Sequence, residues 1–403
     1  MDSREYDVVV IGGGIIGLST AMHLNRRYPA WRVGVVEKEA EVATHQTGHN
    51  SGVVHSGIYY RPDSQKAQFC VGGNTALVRF CEENEIEYQR CGKVIVATDS
   101  SELERLQGLY ERGTANGVPG LEMIEPERLR EIEPYTVGIK ALWAPNTGII
   151  DFVKVARAYA MRFQQGGGEI FTSAPITKIT RSQGKVTLDT PGGPLRAKHL
   201  INCAGLYADR IAEMMGEKID IRIIPFRGEY YTLRPESQHL VKGLIYPVPD
   251  PRFPFLGVHY TRNIRGYVEA GPNAVLALKR EGYRKHDIHL GEAWGTLAFP
   301  GFWNMSKHHW KTGLAEMYRS YRKRVFVRDL QRLIPEIQDK DLAPGGAGVR
   351  AQAVARSGAL LDDFSILRGR EAVHVLNAPS PGATSSLAIG EHIVKLAAEA
   401  FVE

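Results

Sequence analysis

Asp7-Val-Val-Val-Ile-Gly-Gly-Gly-Ile-Ile-Gly17 decides how the rest of the chain is read. Its first half, Val8 to Ile11, is a continuous β-branched run, the pattern of a parallel strand buried on both faces. Its second half sets Gly12, Gly14 and Gly17 in the spacing G-x-G-x-x-G. There the first glycine makes a tight turn, the second lets a pyrophosphate approach the backbone, and the third lets helix and strand pack closely. From Leu18 to Arg27, apolar Leu18, Ala21, Met22 and Leu24 recur at near-helical spacing, and Pro29 marks the end of the helix. A strand is expected next over Val33 to Glu37, which completes a βαβ unit. The helix N-terminus offers free N–H groups to phosphates. Glu37 stands where a carboxylate accepts ribose hydroxyls, which favours FAD or NAD over NADP.

Three later stretches decide between those dinucleotides. His45-Gln-Thr-Gly-His-Asn-Ser-Gly-Val-Val-His-Ser-Gly57 is rich in small and polar residues and suits backbone passing close to a planar ring system. Asn202-Cys-Ala-Gly205 offers a second close approach, and Ser380-Pro-Gly-Ala-Thr-Ser-Ser386 places another helix N-terminus late in the chain. Positive helix ends stabilise the negative charge of a reduced flavin. Three backbone approaches spread over the whole chain fit a buried FAD better than a docked NAD. Cofactor contacts are expected from Gly12, Gly14, Gly17, Glu37, Lys38, His49, Asn50, Ser51, Gly52, Ile176, Ala204, Gly205, Gly382, Thr384 and Ser385.

Composition sets the frame. The chain has 403 residues, 43% hydrophobic and 24% charged, which is the balance of an ordinary globular protein long enough for two or three domains. A net charge of +5 is too small to indicate nucleic acid, yet suits an anionic substrate or an acidic membrane surface. Cys70, Cys81, Cys91 and Cys203 form no C-x-x-C pair and have no histidine cluster beside them, so no metal site is expected and reduced thiols are the simplest account. The opening residues run into only a short apolar stretch, which predicts no signal peptide. No uncharged run approaches the ~20 residues of a membrane span. The expected location is the cytoplasm, or the inner face of its membrane.

Further strands are expected over Ile176–Arg181, Lys185–Asp189, Leu200–Gly205 and Ala372–Leu376, with strand-like pieces near Tyr230 and Tyr267. Helices are expected around Ala208–Met215, over a basic stretch from Leu314 to Leu333, and from Ala383 to Phe401. The fold class is α/β (α+β): a Rossmann-like FAD-binding domain interleaved with a mixed-sheet substrate domain. The first is expected from residues 1–90, 150–220 and 345–403, the second from 91–149 and 221–344. Within the second, residues 290–325 combine Trp294, Leu297, Phe299, Phe302, Trp303 and Trp310 with Lys307, Lys311, Arg319, Arg322, Lys323 and Arg324. That mixture reads equally as a membrane-surface patch or as a domain lid whose aromatics are core.

The glycine fingerprint, His49-Asn-Ser-Gly-Val-Val-His-Ser-Gly-Ile-Tyr-Tyr60, Phe253-Pro-Phe-Leu-Gly-Val-His259 and Gly271-Pro-Asn-Ala-Val275 together resemble the L-2-hydroxyglutarate oxidase/dehydrogenase family. That family is a branch of the D-amino-acid-oxidase-like flavoproteins, and the resemblance spans essentially the whole chain. It implies FAD, a small dicarboxylate substrate, L-2-hydroxyglutarate, and 2-oxoglutarate as product, with electrons passed to membrane quinone or to oxygen. It also favours peripheral membrane association.

Such chemistry moves a hydride from C2 to flavin N5 while a base takes the hydroxyl proton. Among thirteen histidines, His55 and His259 lie in the matching motifs; His55 is the expected base, or else a brace for its loop, and His259 a second polarising group. A dicarboxylate entering a water-poor site needs paired cations. Arg350, in Gly346-Ala-Gly-Val-Arg-Ala-Gln352, is the first choice, with Tyr60 and Gln352 beside the substrate; Arg61 and Arg262 are weaker choices. Two other readings keep the cofactor: an amino-acid or glycerol-3-phosphate oxidase, and a non-catalytic flavin-binding redox sensor.

Overall fold

The computed structural model describes residues 4–182, 184–250, 256–369 and 371–402. Its first sheet is built on the strand Arg4–Ile11, in which Val8, Val9 and Val10 are fully buried. This strand runs parallel to Val33–Val36 on one side and to Leu195–Asn202 on the other. Glu169–Phe171 extends the parallel set beyond Val33–Val36, and Ala372–Asn377 extends it beyond Leu195–Asn202. Antiparallel strands Lys178–Ser182, Lys185–Asp189 and Ser365–Arg368 complete it. Alternation along the strands divides the core. Val8 and Val10 pack with the helices Ile15–Arg27, Phe152–Gln165 and Ser386–Val402 on one face, while Val9 and Ile11 pack with Val186, Leu188, Ile211 and Met215 on the other.

The first and last of those helices cross closely. A Cβ on Gly390 would lie 2.4 Å from Ser19 Oγ, and Ser19 Oγ donates to the Ser386 carbonyl at 2.8 Å. Only a residue without a side chain permits that approach.

A second, mixed sheet of nine strands runs in the order Val275–Leu276, Ile221–Leu233, Val268–Gly271, His259–Arg262, Leu244–Pro247, Lys93–Ala97, Lys140–Ala144 and Glu122–Ile124. Its ninth strand, Leu342–Ala355, lies antiparallel along Ile221–Leu233. The boundary expected at residue 345 therefore falls inside a strand, and the chain returns to the first sheet only after Ala355. Val53–Val54, Gly148–Ile150 and Tyr88–Gln89 form a small third sheet.

The helix expected from Leu314 to Leu333 begins earlier and is broken. Pro300–Tyr321 ends at Arg322, which leaves helical geometry with φ −119° and ψ 87°, and Lys323–Gln331 follows. Among the described residues no helix is long and apolar enough to cross a membrane. Phe253, Pro254 and Phe255, which carried part of the resemblance, lie outside the described residues.

Candidate active site

A cavity of about 1020 Å³ opens at the carboxyl ends of the first sheet's parallel strands and is closed over by side chains of the second sheet. Ligands of open α/β sheets bind at this edge. Gly12 has φ +108°, and a Cβ there would sit 2.4 Å from the Cys203 carbonyl oxygen. Gly17 does not line the cavity; a Cβ on it would lie 2.0 Å from Gly12 O, so its task is to let the first helix meet the first strand. Gly14 faces the cavity, and the helix beside it has no acidic residue in its first turn. One N–H of that turn is spoken for, since Ile15 donates to Thr47 Oγ1 at 3.0 Å.

Glu37 is held by two backbone donors, Gly13 N–H to Oε2 at 2.7 Å and Glu39 N–H to Oε1 at 2.9 Å. Fixed in this way at the end of Val33–Val36, it borders the cavity. Lys38 also borders it, but its ammonium is engaged by Glu39 and, at 2.6 Å, by Glu281; His45 Nε2 joins the same network 2.9 Å from Glu39.

The polar run that follows braces itself. Asn50 Nδ2 donates to the Gln46 and Thr47 carbonyls while its Oδ1 accepts from Gly52 N–H. His49 donates from Nδ1 to the Ala347 carbonyl at 3.0 Å and stacks on Tyr283. Asn50, His49 and Ser51 line the cavity; Gly52 does not, having φ +67° and backing against the Ile150 carbonyl. Ile176, Ala204, Gly205, Gly382 and Thr384 line it too. Ser385 is fully buried outside it, packed against Gly73.

At the other end stand the groups expected to do chemistry. The His55 side chain faces the cavity, and its Nδ1 is buried without a partner. Burial, helped by the nearby charge of Lys93 and by His259, lowers its pKa to about 3. His259 is buried, packs on the Tyr246 ring at 3.8 Å, and donates from Nδ1 to the Gly257 carbonyl. A carbonyl can only accept, so Nε2 carries the lone pair in the neutral ring. Burial lowers the His259 pKa to about 4, against the Gly257 bond and with the help of Lys93. Both rings are neutral at physiological pH.

Arg350 enters from Leu342–Ala355, opposite Phe226, and borders the cavity near Tyr230 and Tyr60. Desolvation by the surrounding protein lowers its pKa and the two phenols oppose that, although the residue itself stays exposed where it borders the open cavity. Tyr60 lines the same end. Gln352 lines it as well, although its Nε2 donates to the Ala353 and Leu361 carbonyls and is spent on backbone. Neither Arg61, which is exposed, nor Arg262 lines the cavity.

Sequence reasoning missed Tyr59, Tyr230 and Tyr246, which wall this end, and Lys93 behind them. Tyr246 sits in the apolar strand Leu244–Pro247 and Lys93 opens another, Lys93–Ala97; neither carries a local signal beyond strand propensity.

The glycine cradle, the helix start at Gly14 and the anchored Glu37 suit a dinucleotide, and His55 and His259 line the same cavity. The family model for FAD dependent oxidoreductases matches residues 7–396, and the chain belongs to that family. Within it, the chain is similar to proteins named L-2-hydroxyglutarate dehydrogenase: 50% identical to that of Indibacter alkaliphilus over 98% of this chain and 100% of the relative. It is 46% identical to the mitochondrial one of Homo sapiens over 96% of this chain and 87% of the relative. Among solved structures, L-alpha-glycerophosphate oxidase from Mycoplasma pneumoniae with FAD bound superposes with TM-score 0.78 at 24% identity, covering 98% of this chain and 94% of that one. Glycine oxidase from Geobacillus kaustophilus gives TM-score 0.71 at 16% identity, with 98% and 95% covered. These two share the fold.

Proposed function

We propose that this chain oxidises L-2-hydroxyglutarate to 2-oxoglutarate and passes the electrons to membrane quinone or oxygen. The observation that carries the reading is that His55, His259 and Arg350 line the same cavity as the glycine cradle. FAD, held by Gly12, Gly14, Glu37 and the backbone around Ala204, Gly205 and Gly382, supplies a hydride acceptor when bound. The protein's own groups then divide the work. Arg350 grips the C1 carboxylate through its fork. His55, neutral and without a partner at Nδ1, takes the hydroxyl proton as the C2 hydrogen leaves. His259, with its Nδ1–H tied to the Gly257 carbonyl, offers only an acceptor at Nε2, so it is an alternative base for the hydroxyl proton and not a donor that polarises the oxygen. Tyr59, Tyr60, Tyr230 and Tyr246 exclude water, which strengthens each of these interactions. Of the two lobes, residues 1–90, 150–220 and those after Ala355 would hold the cofactor, and the nine-stranded sheet the substrate.

The same reading places the protein on a membrane surface through the helices Leu290–Leu297 and Pro300–Tyr321. Leu290, Trp294, Trp303, Trp310, Leu314 and Tyr321 are exposed, at 82%, 72%, 54%, 55%, 58% and 69%. So many large apolar side chains left exposed along two neighbouring helices support an interaction site there. Lys307, Lys311, Arg322 and Arg324 are exposed around it. Phe299 is instead core, and Arg319 and Lys323 are engaged by Asp329 and the Leu342 carbonyl, so these do not belong to the patch.

The test is anaerobic mixing of the FAD-loaded protein with candidate substrates. Bleaching of the flavin by L-2-hydroxyglutarate, and not by its D-enantiomer, amino acids or glycerol 3-phosphate, is the expected result. Bleaching only by one of the latter would overturn the assignment.

A further inference from the structure

Lys93 is the first residue of Lys93–Ala97, and only 1% of it is exposed. A lysine that deep normally has a carboxylate partner. Among the described residues no carboxylate forms an ion pair with Lys93. Its Nζ lies instead over two aromatic rings, 4.5 Å from the centre of Tyr59 and 5.0 Å from that of Tyr246. Both rings line the candidate active site. The titratable groups around the ammonium are these two phenols, the Cys70 thiol, His55 and His259. Burial pushes the thiol up to about 12 and the phenols above their ordinary value, and it holds both imidazoles neutral, so none of these groups supplies a counter-charge near pH 7.

We propose that Lys93 is a positioning residue that makes the cavity select a substrate bearing a second carboxylate, acting through the Tyr59 and Tyr246 rings and not by contact. The missing counter-ion of Lys93 is then the substrate itself. This rests on the dicarboxylate reading above and adds to it a division of labour, with Arg350 on the carboxylate beside the reacting carbon and Lys93 setting the potential for the distal one. Each partner of a charge pair in a water-poor site stabilises the ionised form of the other.

Burial lowers the Lys93 pKa to about 7. The linkage follows in sign. Above that value the empty cavity holds mostly neutral lysine, and an incoming dianion raises the lysine pKa, so binding takes up a proton. Below it the lysine is already charged, and little is taken up. The imidazoles, lying near 3 and 4, start too low to account for uptake at pH 8.

The experiment uses the FAD-loaded enzyme and glutarate, a dicarboxylate with no hydroxyl to oxidise, with butyrate as the monocarboxylate control. Binding is followed by the perturbation of flavin absorbance and by calorimetry in buffers of different ionisation enthalpy. At pH 8 the wild type is expected to take up close to one proton with glutarate and none with butyrate. Lys93→Met is expected to abolish that uptake and to weaken glutarate about tenfold more than butyrate, the scale of one charge interaction in a partly screened interior. Its KM for L-2-hydroxyglutarate should rise relative to that for L-2-hydroxybutyrate by the same factor, with kcat less affected, and Lys93→Arg should restore part of the preference. No uptake by the wild type overturns the proposal without any variant. So does a Lys93→Met enzyme that keeps its dicarboxylate preference or loses both ligands equally. Bleaching of the wild-type flavin by L-2-hydroxyglutarate is measured alongside, so failure of the substrate reading is told apart from failure of Lys93.

Discussion

The backbone N–H of His55 donates to Thr384 Oγ1 at 3.1 Å, joining residues 329 positions apart. Thr384 is 1% exposed and passes its own proton on to the Val53 carbonyl. The loop that presents His55 is thus clasped by the turn before the last helix. Thr384→Val keeps the shape and removes the acceptor, leaving a buried donor unmatched. A loss of about 1–3 kcal/mol in urea unfolding is expected, together with slower anaerobic flavin reduction. A variant as stable and as fast as wild type would show the clasp to be incidental.

Removing the imidazole itself separates base from brace. His55→Ala is expected to retain FAD and its colour while reduction by L-2-hydroxyglutarate slows by ~10²-fold or more, the usual range for a general base. Stopped-flow reduction at saturating substrate is the measurement. Full-speed reduction would leave His55 with only its backbone role.

Arg350→Lys keeps the charge and loses the fork. The expectation is a rise of about 10- to 100-fold in KM with bound flavin unchanged, since a point charge cannot replace bidentate recognition. Unaltered steady-state kinetics would take Arg350 out of the substrate site.

Acid should destabilise the protein through its buried histidines. Glu269 offsets this in part, because burial raises its carboxyl to about 7 and it therefore binds its proton in the folded state, with the opposite effect on stability. His55 lies near 3, His259 near 4 and His374 near 4, all held down chiefly by burial, whereas an unfolded histidine titrates near its ordinary value. Between that value and about 4 the unfolded chain binds more protons, so stability rises with pH there and is lost as pH falls. Each ring contributes up to ~1.4 kcal/mol per pH unit in this window. Urea midpoints from pH 7 to 5 should fall accordingly, and less steeply in His374→Asn. Flat midpoints would contradict the assignment of three neutral rings.

Replacing Trp303 and Trp310 by glutamate should abolish co-sedimentation with anionic vesicles at low salt while leaving anaerobic reduction by substrate intact. Co-sedimentation that survives the double change would move the membrane contact elsewhere.

What could be read from sequence was what is local. Val8–Ile11 with Gly12, Gly14 and Gly17 carries its fold in its own spacing, and Glu37 follows from it. Lys93 gave no such sign: a lysine ahead of Val-Ile-Val-Ala reads as the solvated start of a strand, and only pairing with Leu244–Pro247 and Lys140–Ala144 shuts it inside. Pro344-Gly-Gly reads as a loop, yet it lies in a 14-residue strand because Ile221–Leu233 supplies partners along its length. The Trp303 and Trp310 face was legible as a composition and undecided as a surface, since periodicity states which residues share a side and not whether a neighbour covers it.

The last helix carries one more implication. Its Gly390 seats against Ser19, and the strand before it lies between Leu195–Asn202 and Ser365–Arg368. A nascent chain still lacking residues 372–397 on the ribosome has an open flank beside its first βαβ unit and no clasp on His55. Cofactor capture in this protein therefore requires residues 372–397 to be in place, since they supply both that flank and the clasp.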